Sequence, residues 1–302
     1  MLNIDDLYIV DAQIHIWGAN RPDRPWPPHL AGNAHGQVET TAETVLVEMD
    51  AGGVTGAVLV PAGFEGNRND LALEAAKRNP GRFRVFGRFP LEVEPDVGDR
   101  MLEAMRDPYL LGVRISFLGF MKNWLVDGTL DWFWPFAEQH GIPVTMYPIP
   151  EHLRVVAEIA SSHPALRISI DHMALRANRS ERELEEDLGK LKPLSRCANV
   201  AVKCSALPCS LSDRYSTTSV RQVLDLVLDW FGPARVFWGS DLTRCPGQGY
   251  RNNIVTYLEA LGGYPNEVVR LVMGDGLRRW IGWERDGERA SGSDDGGPTG
   301  NS

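Results

Sequence analysis

Eight short runs of apolar, β-branched residues recur along the chain, and most are followed by a segment with helical periodicity. No other feature constrains the fold as tightly. Strands buried on both faces read as near-continuous apolar runs, and helices between them imply parallel crossovers. The strand signals lie at Tyr8–Trp17, Thr55–Pro61, Phe83–Pro90, Leu110–Phe117, Pro143–Ile149, Leu166–Met173, Asn199–Ala206 and Arg235–Leu242. Helical spacing marks Thr41–Ala51, Asn69–Asn79, Leu130–His140, His152–His163, Glu181–Leu191 and Val220–Trp230. Gly52-Gly53, Gly141-Ile142-Pro143, Gly232-Pro233 and Gly262-Gly263 fall where helices should stop. The pattern predicts an α/β fold, a single closed (β/α)8 TIM barrel over residues 1–283. The rival is an open doubly wound sheet, which carries a glycine-rich phosphate turn after its first strand. Here the first strand ends Gln13-Ile14-His15-Ile16-Trp17, which is a site pattern and no phosphate cradle.

Three segments break the rhythm. Residues 18–40 form a long loop rich in proline and aromatics, including Arg24-Pro25-Trp26-Pro27-Pro28-His29. Such a loop after the first strand either covers the pocket or is a rigid surface ornament, and the sequence leaves both open. Asn266–Trp283 has the spacing of a terminal helix packed on the barrel. Residues 284–302 are rich in glycine, serine and charge, a composition that cannot offset the entropy of ordering, so a disordered tail is expected.

The formal net charge of -9 argues against nucleic acid or an anionic membrane as the main partner. A local arginine cluster can still receive a small anionic substrate. The opening residues MLNIDDLYIV lack a basic stretch and a long apolar run, so a cytoplasmic protein is expected. The four cysteines, Cys197, Cys204, Cys209 and Cys245, show no zinc-site spacing and read as reduced thiols, with Cys204 near enough to a strand end to line the site. Trp124, Trp132 and Trp134 lie close together. Core packing is the expected account, and an exposed patch there would instead mark a homodimer face.

In a barrel of this kind, polar residues at the carboxyl ends of strands point toward the site. They are Asp11, Gln13 and His15 on strand one, Arg88 on strand three, Arg114 and Ser116 on strand four and Tyr147 on strand five. Strand six adds Asp171 and His172, strand seven Lys203 and Ser205, and strand eight Ser240 and Asp241. Alternation puts Asp11, Gln13 and His15 on one face, the expected interior. Taken singly, each has an ordinary structural explanation, such as a helix cap or an ion pair. Taken together they point to a site, because burying this many polar groups at one end is costly unless they serve something.

These residues resemble the amidohydrolase-related, metal-dependent hydrolase superfamily. The similarity is greatest to the branch of 2-pyrone-4,6-dicarboxylate lactonase and related sugar-acid lactonases. It is carried by Asp11-Ala12-Gln13-Ile14-His15-Ile16-Trp17, Gly112-Val113-Arg114, Ile170-Asp171-His172-Met173, Asn199–Ser205 and Val236–Asp241. The resemblance implies that Asp241 is the general base, that His172 and His15 polarise the substrate carbonyl, that Arg114 grips a carboxylate and that Tyr147 hydrogen-bonds the substrate. Arg88 and Ser116 join them as candidate substrate-binding residues. One departure matters: the family's strand-one pattern is His-x-His, and its first position here is Gln13. An amide oxygen is a weak zinc ligand. The expectation is therefore a reaction with no required metal, in which Gln13 donates a hydrogen bond to substrate or water. The alternative is one divalent ion, zinc, on His15, His172 and Asp241.

The resemblance implies a hydrolase that opens a lactone or similar cyclic ester of a carboxylic acid by base-activated water attack. The alternative is a metal-dependent decarboxylase of an aromatic or unsaturated acid, against which Gln13 counts. A non-catalytic descendant is the third reading, and the retention of His15, His172 and Asp241 speaks against it.

Overall fold

A computed structural model describes residues 4–36, 38–92, 96–177, 179–245 and 249–284. Apart from Glu284, the expected disordered tail lies outside the described residues. Eight strands, β1 Val10–Ile14, β2 Gly56–Leu59, β3 Phe83–Gly87, β4 Leu110–Ser116, β5 Val144–Tyr147, β6 Ile168–Ile170, β7 Val200–Cys204 and β8 Val236–Trp238, follow one another around a nearly closed barrel. All seven neighbouring pairs from β1–β2 to β7–β8 are parallel. Each strand falls inside the run expected for it, and the runs extend beyond the ladders because their last residues turn inward as the site.

Helices wrap the outside where the apolar spacing places them, including Ala42–Gly52, Asp70–Arg78, Leu153–Ser162, Glu181–Leu191 and Thr217–Phe231. Their starts are chemically marked. Thr41 Oγ1 accepts the Thr44 N–H at 3.2 Å, Ser180 and Glu183 make a capping box, and Ser216 caps Thr217–Phe231.

Alternation along the strands separates two cores. Ala57, Leu59, Val85, Met146, Ile168, Val202 and Trp238 face the helix layer. Val10, Val58, Val60, Phe86, Ala201 and Phe237 fill the barrel interior, joined by Leu277, Ile281 and Trp283 of the carboxyl-terminal segment. That segment is not the single helix expected. It runs as Asn266–Arg270, a π-helical turn Leu271–Asp275, and Gly276–Ile281. The interruption lets Gly274 press against β1, where a Cβ would collide with the Tyr8 carbonyl.

The joint between β1 and β8 differs from the other seven. One backbone bond crosses it, from Asp241 N–H to the Gln13 carbonyl at 3.0 Å. The rest is made by the Asp11 side chain, which accepts from Ser240 N–H at 2.8 Å, Tyr250 OH at 2.9 Å and the Ser240 hydroxyl. Asp11 therefore does not share the inward face with Gln13 and His15, as alternation had predicted. The register shifts between Asp11 and Ile14. This bulge turns Asp11 into the seam and Gln13 and His15 into the barrel.

Two further expectations fail. Cys209 and Cys245 form a disulfide with Cα atoms 5.7 Å apart, so only Cys197 and Cys204 remain free thiols. The loops after β7 and β8 meet in space while their cysteines stand 36 residues apart in sequence, so spacing gave no cue. Cys204 does not line the site. It faces the helix layer, where the Tyr257 hydroxyl lies 3.8 Å from its sulfur. Trp124 and Trp134 are buried, which favours the core-packing account of the tryptophans. Among the described residues no helix is long and apolar enough to cross a membrane.

Candidate active site

The carboxyl ends of the strands hold two buried carboxylates in different settings. Asp171, directly after β6, is saturated. Its Oδ1 accepts from Thr145 Oγ1 at 2.6 Å and faces Lys203 Nζ at 3.0 Å, and its Oδ2 accepts from Arg114 Nε at 3.1 Å. Burial pushes its carboxyl up, but Lys203, Arg114 and His172 outweigh that and hold it below the ordinary carboxylate range.

Asp241, after β8, is the opposite. His15 Nε2 stands 3.1 Å from Oδ1 and His172 Nε2 stands 3.6 Å from Oδ2, yet neither oxygen receives an aligned hydrogen bond from a described residue. Burial again opposes ionisation, and His172, His15 and Arg244 again overcome it, so Asp241 is a carboxylate. The imidazoles are held from behind. His15 Nδ1 donates to the Val60 carbonyl at 2.7 Å, which leaves Nε2 directed at the site. His172 Nδ1 pairs with Ser205 Oγ at 2.8 Å. Burial pulls His172 down to about 4 despite the two nearby carboxylates, so it is neutral at pH 7.

The backbone at this end is unusual. His172, Met173 and Ala174 have φ of 53°, 54° and 59°, and Asp241 has φ of 50°. Non-glycine residues enter this region at a cost of roughly 1–2 kcal/mol each. Tyr147 supports the turn: its hydroxyl donates to the Leu175 carbonyl at 2.6 Å, and its ring meets His172 edge-on at 5.1 Å. With its proton committed there, Tyr147 positions the turn and has no proton to offer a substrate.

Gln13 Oε1 accepts from Lys203 Nζ at 2.9 Å, which fixes the amide and leaves Nε2 as a buried donor with no partner among the described residues. Position 13 therefore presents a free N–H, while its amide oxygen is engaged by Lys203. Among the described residues no set of three or more His, Cys, Asp or Glu side chains takes a metal-holding arrangement. Gln13 contributes no ligand nitrogen, so a divalent ion held here would rest on His15, His172 and Asp241 as its side-chain ligands.

Arg88, Arg114 and Ser116 line a cavity of about 400 Å³, walled on its far side by His29, Phe120 and Trp124. Arg114 also donates to the Ser116 hydroxyl. Arg88 donates Nε–H to the Pro61 carbonyl at 2.7 Å, but its guanidinium has no carboxylate partner among the described residues. Burial and the neighbouring Arg114 charge both press against its ionisation, a stress that a bound anion would relieve. The sequence reading placed His15, His172, Tyr147 and Asp241 on the wall of one cavity with Arg114. The arginines line the cavity, while His15, His172 and Asp241 lie beneath the surface, with His35 of the long loop set against His15 at 5.3 Å between ring centroids.

Sequence reasoning missed two residues near the centre. Arg244 sits three residues past Asp241, with its guanidinium carbon 5.8 Å from the Tyr147 ring centroid. His35 comes from the loop 18–40. Neither lies on a strand, so a search of strand ends could not find them.

The amidohydrolase family profile matches residues 10–285. The chain belongs to the amidohydrolase family. An L-fucono-1,5-lactonase of Burkholderia ambifaria is 26% identical over 233 residues, covering 77% of this chain and 79% of that protein. A Burkholderia multivorans amidohydrolase with bound zinc superposes with a TM-score of 0.76 at 19% identity, over 91% of this chain and 99% of that one. A Pseudomonas putida protein described as a 2-pyrone-4,6-dicarboxylic acid hydrolase superposes with a TM-score of 0.75 at 20% identity, over 93% of this chain and 99% of that one. The two structures share the fold with this amidohydrolase-family enzyme.

Proposed function

We propose that this protein opens a lactone, or a similar cyclic ester, of a carboxylic acid. The observation that carries the reading is Asp241, an ionised buried carboxylate with no aligned donor on either oxygen, set between two imidazoles beside an arginine-lined cavity. The similarity to a curated lactonase supports it.

Arg88 and Arg114 receive the substrate carboxylate, for which a planar guanidinium is the best-matched partner. Asp241 takes a proton from a water as the water oxygen bonds to the lactone carbonyl carbon. Its depressed basicity keeps it ionised and ready, and His15 Nε2, 3.1 Å away, shares the proton it collects. Gln13 Nε2–H donates to the carbonyl oxygen as charge builds there. Neutral His172 does the same through Nε2–H when Ser205 donates to its Nδ1. The carbonyl then reforms, and the bond to the ring oxygen breaks.

In this reading the reaction requires no metal. Its support is the donor set, in which Lys203 occupies the one lone-pair atom of Gln13.

The test is a panel of carboxylate-bearing lactones and aromatic acids, followed by proton release and by carbon dioxide release. Ring opening near pH 7 yields one proton per turnover and no carbon dioxide. Carbon dioxide from an aromatic acid, with every lactone inert, would replace the reading with decarboxylation.

A further inference from the structure

Lactone opening makes three demands: an activated water, a polarised carbonyl, and support for the ring oxygen that leaves. Asp241 meets the first, and Gln13 with His172 meets the second. No strand residue meets the third. The alkoxide leaving from an aliphatic lactone is a strong base, so an unsupported departure is slow.

We infer that His35, carried over the strand ends by the loop 18–40, is a catalytic residue whose imidazole N–H donates a hydrogen bond to the departing ring oxygen. The inference rests on the lactone reading above. It stands on how the loop is built. His35 meets His15 edge-on at 5.3 Å between centroids, and Trp17 at 6.1 Å and Phe64 at 5.7 Å complete an aromatic cage around it. Trp17 is itself fixed, with Nε1–H donating to the Val38 carbonyl at 2.9 Å and its backbone paired with Thr40 at 3.0 and 3.1 Å. Arg24 anchors the loop root to Glu65 at 2.8 Å and Asp70 at 2.6 Å.

This is more structure than a surface ornament needs, and its outcome is one imidazole held against His15. The cage grips the ring by its faces and edges and engages neither nitrogen, while His35 stays exposed on its outer side. His35 also feels the charges of His15, Asp241, Arg244 and Arg114, which places it among the groups of the site. The step balances. The carbon–oxygen bond breaks, and its electron pair leaves on the ring oxygen. That oxygen ends the turnover with the proton Asp241 took from water, and the His35 N–H bears the charge until then.

The test compares leaving groups in the full-length protein. His35→Phe keeps an aromatic ring in the cage and removes the donor, and His35→Ala removes both. With a carboxylate-bearing aliphatic δ-lactone, both variants should lose roughly 10²-fold in kcat, the scale of one lost transition-state donor. With a carboxylate-bearing dihydrocoumarin, whose phenoxide leaves with little help, the loss should stay within about threefold. Equal losses on the two lactones would reduce His35 to a packing residue and overturn the proposal. So would a His35→Phe variant with wild-type activity on the aliphatic lactone. A wild-type protein inert on both lactones would overturn the lactone reading itself and this proposal with it.

Discussion

Asp171 and Asp241 stand at the ends of β6 and β8, and both are fully buried. Asp171, after β6, holds Lys203 of β7, Arg114 of β4 and Thr145 of β5 together, so the cluster spans four consecutive strands. Asp241 holds nothing with comparable alignment and sits on a strained backbone. One carboxylate is spent on structure, and the other is left with both oxygens unsatisfied, as the proposed base requires. Residue type, burial and strand-end position are the same for both. Hydrogen-bond saturation separates them, because a carboxylate whose lone pairs are already occupied cannot accept a proton from water.

Substitution can break this contrast. Asp241→Asn should reduce kcat by roughly 10²–10⁴ while the urea midpoint stays close to wild type, since the amide keeps the size and loses the base. Turnover near the wild-type rate would remove Asp241 from that role. Asp171→Asn should show the reverse emphasis. It leaves Lys203 and Arg114 as buried cations without their counter-charge, so chemical denaturation should report a loss of about 3–5 kcal/mol. A variant as stable as wild type would contradict the structural assignment.

The anchors sharpen the comparison further. Arg114 serves both the Asp171 cluster and the cavity, so Arg114→Met should raise KM and lower stability together. Among the described residues the Arg88 side chain is bonded to one carbonyl, so Arg88→Met should raise KM roughly 10- to 100-fold with little change in kcat. An unchanged KM would mean that the substrate carboxylate does not bind there.

Asp11 gives a smaller effect, visible in pH. Burial raises its carboxyl to about 6 from an ordinary 3.8, against the lowering pull of its hydrogen bonds. A raised folded-state value means that the proton is bound more tightly in the native protein. The contribution is therefore full below about 3.8 and is lost as pH rises through about 6. The wild-type urea midpoint should slope downward across that window, and Asp11→Asn should flatten the slope. The last expectation is no effect at all: activity should survive prolonged chelation, with far less than one zinc per chain by elemental analysis. Stoichiometric zinc, with activity lost on chelation and restored by zinc alone, would defeat the metal-free reaction.

The barrel was legible because its signal is redundant. Eight apolar runs and their intervening helices each vote for the same architecture, and losing one would not change it. The inward residues of β4, β5 and β7 were legible for the same reason, since an unbroken alternation needs no coordinates. Asp11 was misplaced because a single bulge reverses the phase, and nothing in Asp11-Ala12-Gln13 marks one. The Cys209–Cys245 bridge and the approach of His35 to His15 were invisible because both depend on how loops fold back over the strand ends. Tyr147 shows a different limit. Sequence could place its ring at the site but not its proton, which depends on a carbonyl exposed by the left-handed turn at His172.

The seam between β1 and β8 also bears on how the molecule comes apart. Seven joints of the ring are parallel backbone ladders, and the eighth is held by one backbone bond and the Asp11 side chain. A ladder opens only when several bonds are lost at once, whereas a side-chain joint opens when one carboxylate lets go. Amide hydrogens of β1 and β8 should therefore exchange with deuterated solvent through local opening, ahead of those in β4 and β5, which exchange only when the whole domain unfolds. The two terminal strands, and with them His15 and Asp241, then belong to the least cooperative part of the barrel. The proposed catalytic pair sits across the joint where the ring opens first.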